Sequence, residues 1–110
     1  MIERKYTWYK LAKSIEDIDF NEEGLAEILV ENKRICISKN NQTLQACAAI
    51  CPHAAQPLVD GYVDVKGNIV CCLHQYKFNL SSGKNVSGEG YFLKTYPIET
   101  RNDGVYIGLY

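Results

Sequence analysis

Histidine is scarce in this chain, with two residues in 110, and surplus positive charge is missing altogether. Twelve Lys and Arg stand against thirteen Asp and Glu, a net charge of -1, so nothing is set aside to neutralise phosphates or to hold the chain on an anionic membrane. Nucleic acid and membrane surfaces are therefore not expected partners. Long apolar runs are absent too: no stretch approaches the roughly 20 residues of a membrane span, and the start, MIERKYTWYK, alternates charged and aromatic residues without a signal-type core. The expectation is a cytoplasmic protein. No segment is polar or repetitive enough to read as disordered, and the length suits one folded domain over residues 1–110.

Cysteine is present in an odd number, five. A reducing cytoplasm would keep these thiols from building a disulfide framework, so their spacing is read as metal ligation or chemistry.

Alternating apolar and polar residues, rich in Val, Ile, Tyr and Phe, predict strands at 7–12, 25–31, 35–39, 43–49, 68–71, 76–80, 91–99 and 105–110. Turn signals separate them at Glu23-Gly24, Asn40-Asn41, Asp60-Gly61, Lys66-Gly67-Asn68, Ser82-Gly83, Gly88-Glu89-Gly90 and Asn102-Asp103-Gly104. The fold class implied is all-β, an antiparallel sandwich or barrel. The one helical hint, at Ser14-Ile15-Glu16-Asp17, has capping-box spacing and predicts a single turn. Seven acidic residues between 14 and 32, with no Lys or Arg among them, read as a solvated loop and strand edge in preference to a docking surface for a basic partner.

Both histidines stand beside cysteines: Cys51-Pro52-His53, then seventeen residues, then Cys71-Cys72-Leu73-His74. Each pair falls where a strand ends in a turn, so two loops, about 50–57 and 70–78, can close on one metal from opposite sides with thiolate and imidazole. A lone Cys or His is more often plain packing or surface, but two such pairs at short offsets make coincidence a poor account. Cys36 and Cys47 sit in apolar strand patterns away from histidine and read as buried thiols. A Cys2His2 zinc site is the simplest alternative, although finger-type zinc ligands are spaced more widely and followed by a helix.

The pattern Cys-x-His, seventeen residues, Cys-x-x-His resembles the Rieske family, in which two cysteines hold one iron of a 2Fe-2S cluster and two histidines the other. CCLHQYKFNLSSGK resembles the second cluster loop and its hairpin, LQACAAICPH the strand entering the first loop, and LKTYPIETRNDGVYIGLY the closing hairpin. The resemblance implies a Rieske-type β-sandwich or barrel with a small cluster-binding subdomain built from the two loops. It implies that Cys51 and Cys71 bind one iron and His53 and His74 the other, with the outer nitrogens of both imidazoles at the surface. It further implies a monomeric ferredoxin, a one-electron carrier and not an enzyme, taking electrons from an NAD(P)H-dependent flavoprotein reductase. A terminal oxygenase would receive them, through transient contacts near His53 and His74. The other reading in the same family is the small subunit of an assimilatory nitrite reductase.

The chain departs from the family pattern in several places. Gln56 and Leu73 occupy the positions of the loop disulfide in cytochrome bc-type members, and Cys72 is an extra thiol where proline is usual. Gln75 replaces a glycine, and Ser87-Gly88-Glu89-Gly90 lacks the proline of the shielding loop, which predicts looser shielding. Tyr76 and Phe78 stand where high-potential relatives carry serine and tyrosine, which predicts a low reduction potential. Once a cluster uses both histidines, none remains for the mononuclear iron of a terminal oxygenase.

Overall fold

Ten strands follow the turn signals through the described residues: β1 (Thr7–Ala12), β2 (Leu25–Val30), β3 (Lys33–Asn40), β4 (Thr43–Ala48), β5 (Tyr62–Val63), β6 (Asn68–Val70), β7 (Lys77–Asn79), β8 (Thr95–Tyr96), β9 (Ile98–Arg101) and β10 (Gly104–Leu109). They come from a computed structural model that describes residues 5–110. Part of the MIERKYTWYK reading thus falls on residues 1–4, outside the described residues.

The strands form three antiparallel sheets, in the orders β1-β10-β9, β2-β3-β4-β8 and β5-β6-β7. Alternation decides which faces meet. Val30, Ile35, Ile37, Ala46, Tyr96, Ile107 and Leu109 are buried together, joining the first two sheets. Leu25, Leu58, Ile69, Phe78, Leu80 and Leu93 form a second core, which also contains Cys36, Cys47, Cys51 and Cys71. The third sheet therefore packs on the second through the layer that carries the cysteines.

Three local expectations are corrected. Strand 25–31 ends at Val30, because Glu31 and Asn32 take left-handed backbone angles (φ 48° and 64°) and make a tight β2–β3 turn. The segment 91–99 is not one strand: beyond an isolated bridge at Phe92, strand pairing holds at Thr95–Tyr96 and resumes at Ile98, with Pro97 between, since proline has no N–H to give a ladder. The 3-10 turn at Ile15–Asp17 forms as expected, but Ser14 makes no side-chain cap, and its hydroxyl lies 3.4 Å from the Asp17 carboxylate. A 3-10 turn at Leu58–Asp60 and the short β5 carried no sequence signal beyond Asp60-Gly61. The acidic residues from Glu16 to Glu31 are all exposed, and Glu27 pairs with Arg34 at 2.8 Å.

Candidate metal centre

The two Cys/His loops share one closure. In the first, the Cys51 N–H donates to the Gln56 carbonyl at 2.9 Å; in the second, the Cys71 N–H donates to the Tyr76 carbonyl at 2.9 Å. Each cysteine thus binds the carbonyl five residues ahead and pinches its loop at the base, leaving the histidine on the protruding part. An Ile50–Pro57 bridge and the Leu58 N–H to the Ala49 carbonyl (2.7 Å) complete the first pinch. Gln56, where relatives have a bridging cysteine, donates instead to Asp60 at 3.2 Å.

The second loop turns through His74 and Gln75, both left-handed (φ 65° and 57°). The missing glycine does not prevent the turn; side chains accept a backbone there that costs about 1 kcal/mol or more each.

The pinches place both thiols on the core, the His74 ring on the rim and the His53 ring partly covered between them. Cys51 and Cys71 are buried, His53 is half-buried and His74 is exposed. Cys51 Sγ and His53 Nδ1 lie 2.8 Å apart, and ligand atoms of Cys51, His53 and Cys71 fall within 4.8 Å of one another. His74 lies outside that tight group, its ring centroid 5.6 Å from that of His53. Burial pushes the Cys71 thiol above its ordinary pKa, opposed by the backbone N–H of Leu73, which favours thiolate. A buried thiol that is costly to ionise by itself suits a site where a cation carries the compensating charge. Two core thiols and two histidines carried on opposite loops, three of the four within one tight group, fit a two-iron cluster with mixed ligation, and they match no helix-supported zinc finger.

Cys36 and Cys47 face each other across β3 and β4, buried, and the hydrogen bond with the Cys36 thiol together with burial holds the Cys47 pKa well above its ordinary value. They stand apart from the tight group, as buried strand thiols should. Cys72 is exposed and free.

The expectation that both imidazoles reach the surface holds for His74 and fails for His53. Nε2 of His53 is buried with no hydrogen-bond partner. Tyr76 packs on that ring at 3.9 Å between centroids, and Tyr91 approaches to 6.1 Å. The loop that lacks the proline carries Tyr91 to this side of the His53 ring. Tyr91 and the polar residues Asn85, Ser87 and Glu89 that support its loop were not legible in the sequence, because only tertiary contact brings them to the first Cys/His pair.

Known proteins share this fold and family. The ferredoxin component of the alkene monooxygenase system of Xanthobacter autotrophicus (strain ATCC BAA-1158 / Py2) is 25% identical over 79 residues, which cover 72% of this chain and 65% of that protein. The match therefore spans slightly less than two thirds of that relative's length. The ferredoxin of carbazole 1,9a-dioxygenase from Nocardioides aromaticivorans IC177 superposes with a TM-score of 0.78 at 16% identity, over 92% of this chain and 96% of that one. A Mycobacterium tuberculosis protein described as an NADH-dependent nitrite reductase small subunit gives a TM-score of 0.82 at 11% identity, over 97% and 98%. At such identities the two superpositions establish the shared fold. Residues 7–97 match the Rieske [2Fe-2S] domain, and the chain belongs to that family.

Proposed function

We propose that the chain is a one-electron carrier of the ferredoxin type, with Cys51 and Cys71 holding one iron of a 2Fe-2S cluster and His53 and His74 the other. The observation that carries this reading is the convergence of Cys51, His53 and Cys71 within 4.8 Å, with the His74 ring beside them. When bound, the cluster accepts and releases a single electron. The protein's own residues do the rest: the two pinched loops fix ligand spacing, the core around Leu58, Ile69 and Phe78 keeps water from the thiols, and exposed His74 gives a redox partner access. A fixed ligand frame limits rearrangement between oxidation states, which is what a carrier requires.

Electrons would come from an NAD(P)H-dependent flavoprotein reductase and pass to a terminal oxygenase. The likeness to ferredoxins of the alkene monooxygenase and carbazole dioxygenase systems supports that pairing. The contact would be small and short-lived, as redox encounters are. A second reading, the small subunit of a nitrite reductase, draws on the fold likeness to the mycobacterial protein. The test is to purify the chain anaerobically, measure iron and sulfide, and record the EPR spectrum after reduction by NADH and a ferredoxin reductase. A red-brown protein with a Rieske-type signal supports the carrier reading; a colourless protein without iron sinks it.

A further inference from the structure

The loop between β7 and β8 does more than connect strands. Asn85 is its hub: its amide donates to the Lys77 carbonyl (3.1 Å), to the Ser87 hydroxyl (3.2 Å) and to the Glu89 carboxylate (2.9 Å). Its carbonyl oxygen accepts the backbone N–H groups of Glu89 and Gly90, the latter at 2.9 Å. Ser87 donates to Glu89 and accepts the Lys77 N–H at 2.9 Å. A clasp this connected on an exposed loop costs conformational entropy, so the shape it fixes calls for an explanation.

What it fixes is Tyr91. The residue before it, Gly90, hangs from Asn85. The residue after it, Phe92, bridges to Lys84, and the Leu93 N–H donates to the Gly83 carbonyl at 2.9 Å. Held on both sides, the Tyr91 ring lies 5.9 Å from Tyr76 and 6.1 Å from His53, while Tyr76 is itself tied to the second loop through its carbonyl. Three separate segments thus meet at the His53 ring, and its Nε2 is buried among them without a partner. On the other side His74 is exposed, flanked by exposed Leu73 and Gln75.

We propose that Tyr91, set by the Asn85–Ser87–Glu89 clasp, is a positioning residue that seals the His53 side of the centre and leaves His74 as the face open to a redox partner. The inference rests on the carrier reading of the site. Tyr76 packs on the His53 ring at 3.9 Å and Tyr91 stands tilted beside it at 6.1 Å, so apolar ring surface covers this side without offering a hydrogen bond, and moving Tyr91 should open it. The ring of Tyr91, and not its hydroxyl, does this work.

Site-resolved histidine modification tests it. The full chain, in the metal state in which it is isolated, is treated with diethyl pyrocarbonate, and each histidine's rate is read by peptide mass spectrometry. In the wild type His74 should react about tenfold faster than His53, the slowing a modest local opening step imposes. Tyr91→Ala should erase most of that difference by speeding His53 alone, and Tyr91→Phe should restore it. Equal rates in the wild type overturn the proposal without any variant, and so does a Tyr91→Ala protein with the wild-type ratio. In iron-loaded protein, deuterium couplings seen by pulsed EPR after transfer to D2O should increase in Tyr91→Ala and not in Tyr91→Phe; an unchanged spectrum in both counts against the seal. A colourless preparation would contradict the carrier reading yet leave the modification ratio readable, so the two failures are told apart.

Discussion

The ring of Tyr76 lies 3.9 Å from the imidazole of His53, centroid to centroid, at an interplanar angle of 35°. Tyr76 stands where high-potential relatives have a serine, and here the side chain packs on a histidine. Hydrogen bonds to cluster sulfurs or cysteine ligands raise a potential by stabilising the added negative charge. Phe78, buried in the core, has no hydroxyl, and Leu73 rules out the loop disulfide. The midpoint should therefore lie near the low end of the Rieske range of roughly -150 to +300 mV, and Tyr76→Ser should raise it. Protein-film voltammetry decides; a neutral-pH midpoint above about +100 mV contradicts the low-potential account.

The cysteines should divide by role. Cys36→Ser and Cys47→Ser should keep the cluster's EPR spectrum while lowering stability by about 1–3 kcal/mol, the usual cost of an unsatisfied hydroxyl in an apolar core. Cys72 is the exposed thiol, so native alkylation should label one site rapidly and Cys72→Ser should abolish it. Loss of iron in the Cys36 variant alone would show the ligands misassigned.

Two glycines with similar backbone separate strain from space. Gly83 (φ +79°) would place a Cβ 1.9 Å from the Leu93 carbonyl oxygen, whereas at Gly67 (φ +83°) a Cβ meets nothing within 4 Å. Alanine at 67 should cost about 1 kcal/mol through backbone strain alone. Alanine at 83 should cost about 2 kcal/mol or more and loosen the loop that carries Tyr91. Thermal unfolding of both variants should give that order, and equal losses would show that Leu93 yields freely.

Stability should respond to pH through Asp103 and Tyr106, joined at 2.8 Å in the closing hairpin. The Tyr106 hydroxyl holds the Asp103 carboxyl below its usual range, and the carboxylate holds the phenol above its own. The carboxylate's contribution is present above the ordinary aspartate pKa and lost as pH falls through the depressed value. The phenol's is present below the ordinary tyrosine pKa and lost as pH rises through the raised one. Tyr106→Phe should thus differ from wild type mainly between those limits and converge with it in strong acid and strong alkali. Denaturant melts across pH would refute this if the difference were constant.

Much of the architecture was legible because alternation and glycine-bearing turns are local signals: β1 and β2 through β4 fall within a residue or two of expectation. The Cys/His pairs were legible because their members are close in sequence. What escaped depends on contacts between distant segments. Nothing in NVSGEGY announces that an asparagine will clasp a glutamate and aim a tyrosine at residue 53, and without that contact His53 reads as exposed as His74. The break at Pro97 was readable, since proline lacks a ladder donor, but the apolar run around it outweighed that signal.

The central claim, mixed ligation by both loops, is tested most directly by pulsed EPR of the reduced protein grown with 15N-histidine. Two inequivalent histidine nitrogen couplings, with His74→Ala or His53→Ala unable to retain both, are predicted. A reduced cluster with no histidine nitrogen coupling, or with both couplings surviving the loss of His74, would contradict the account.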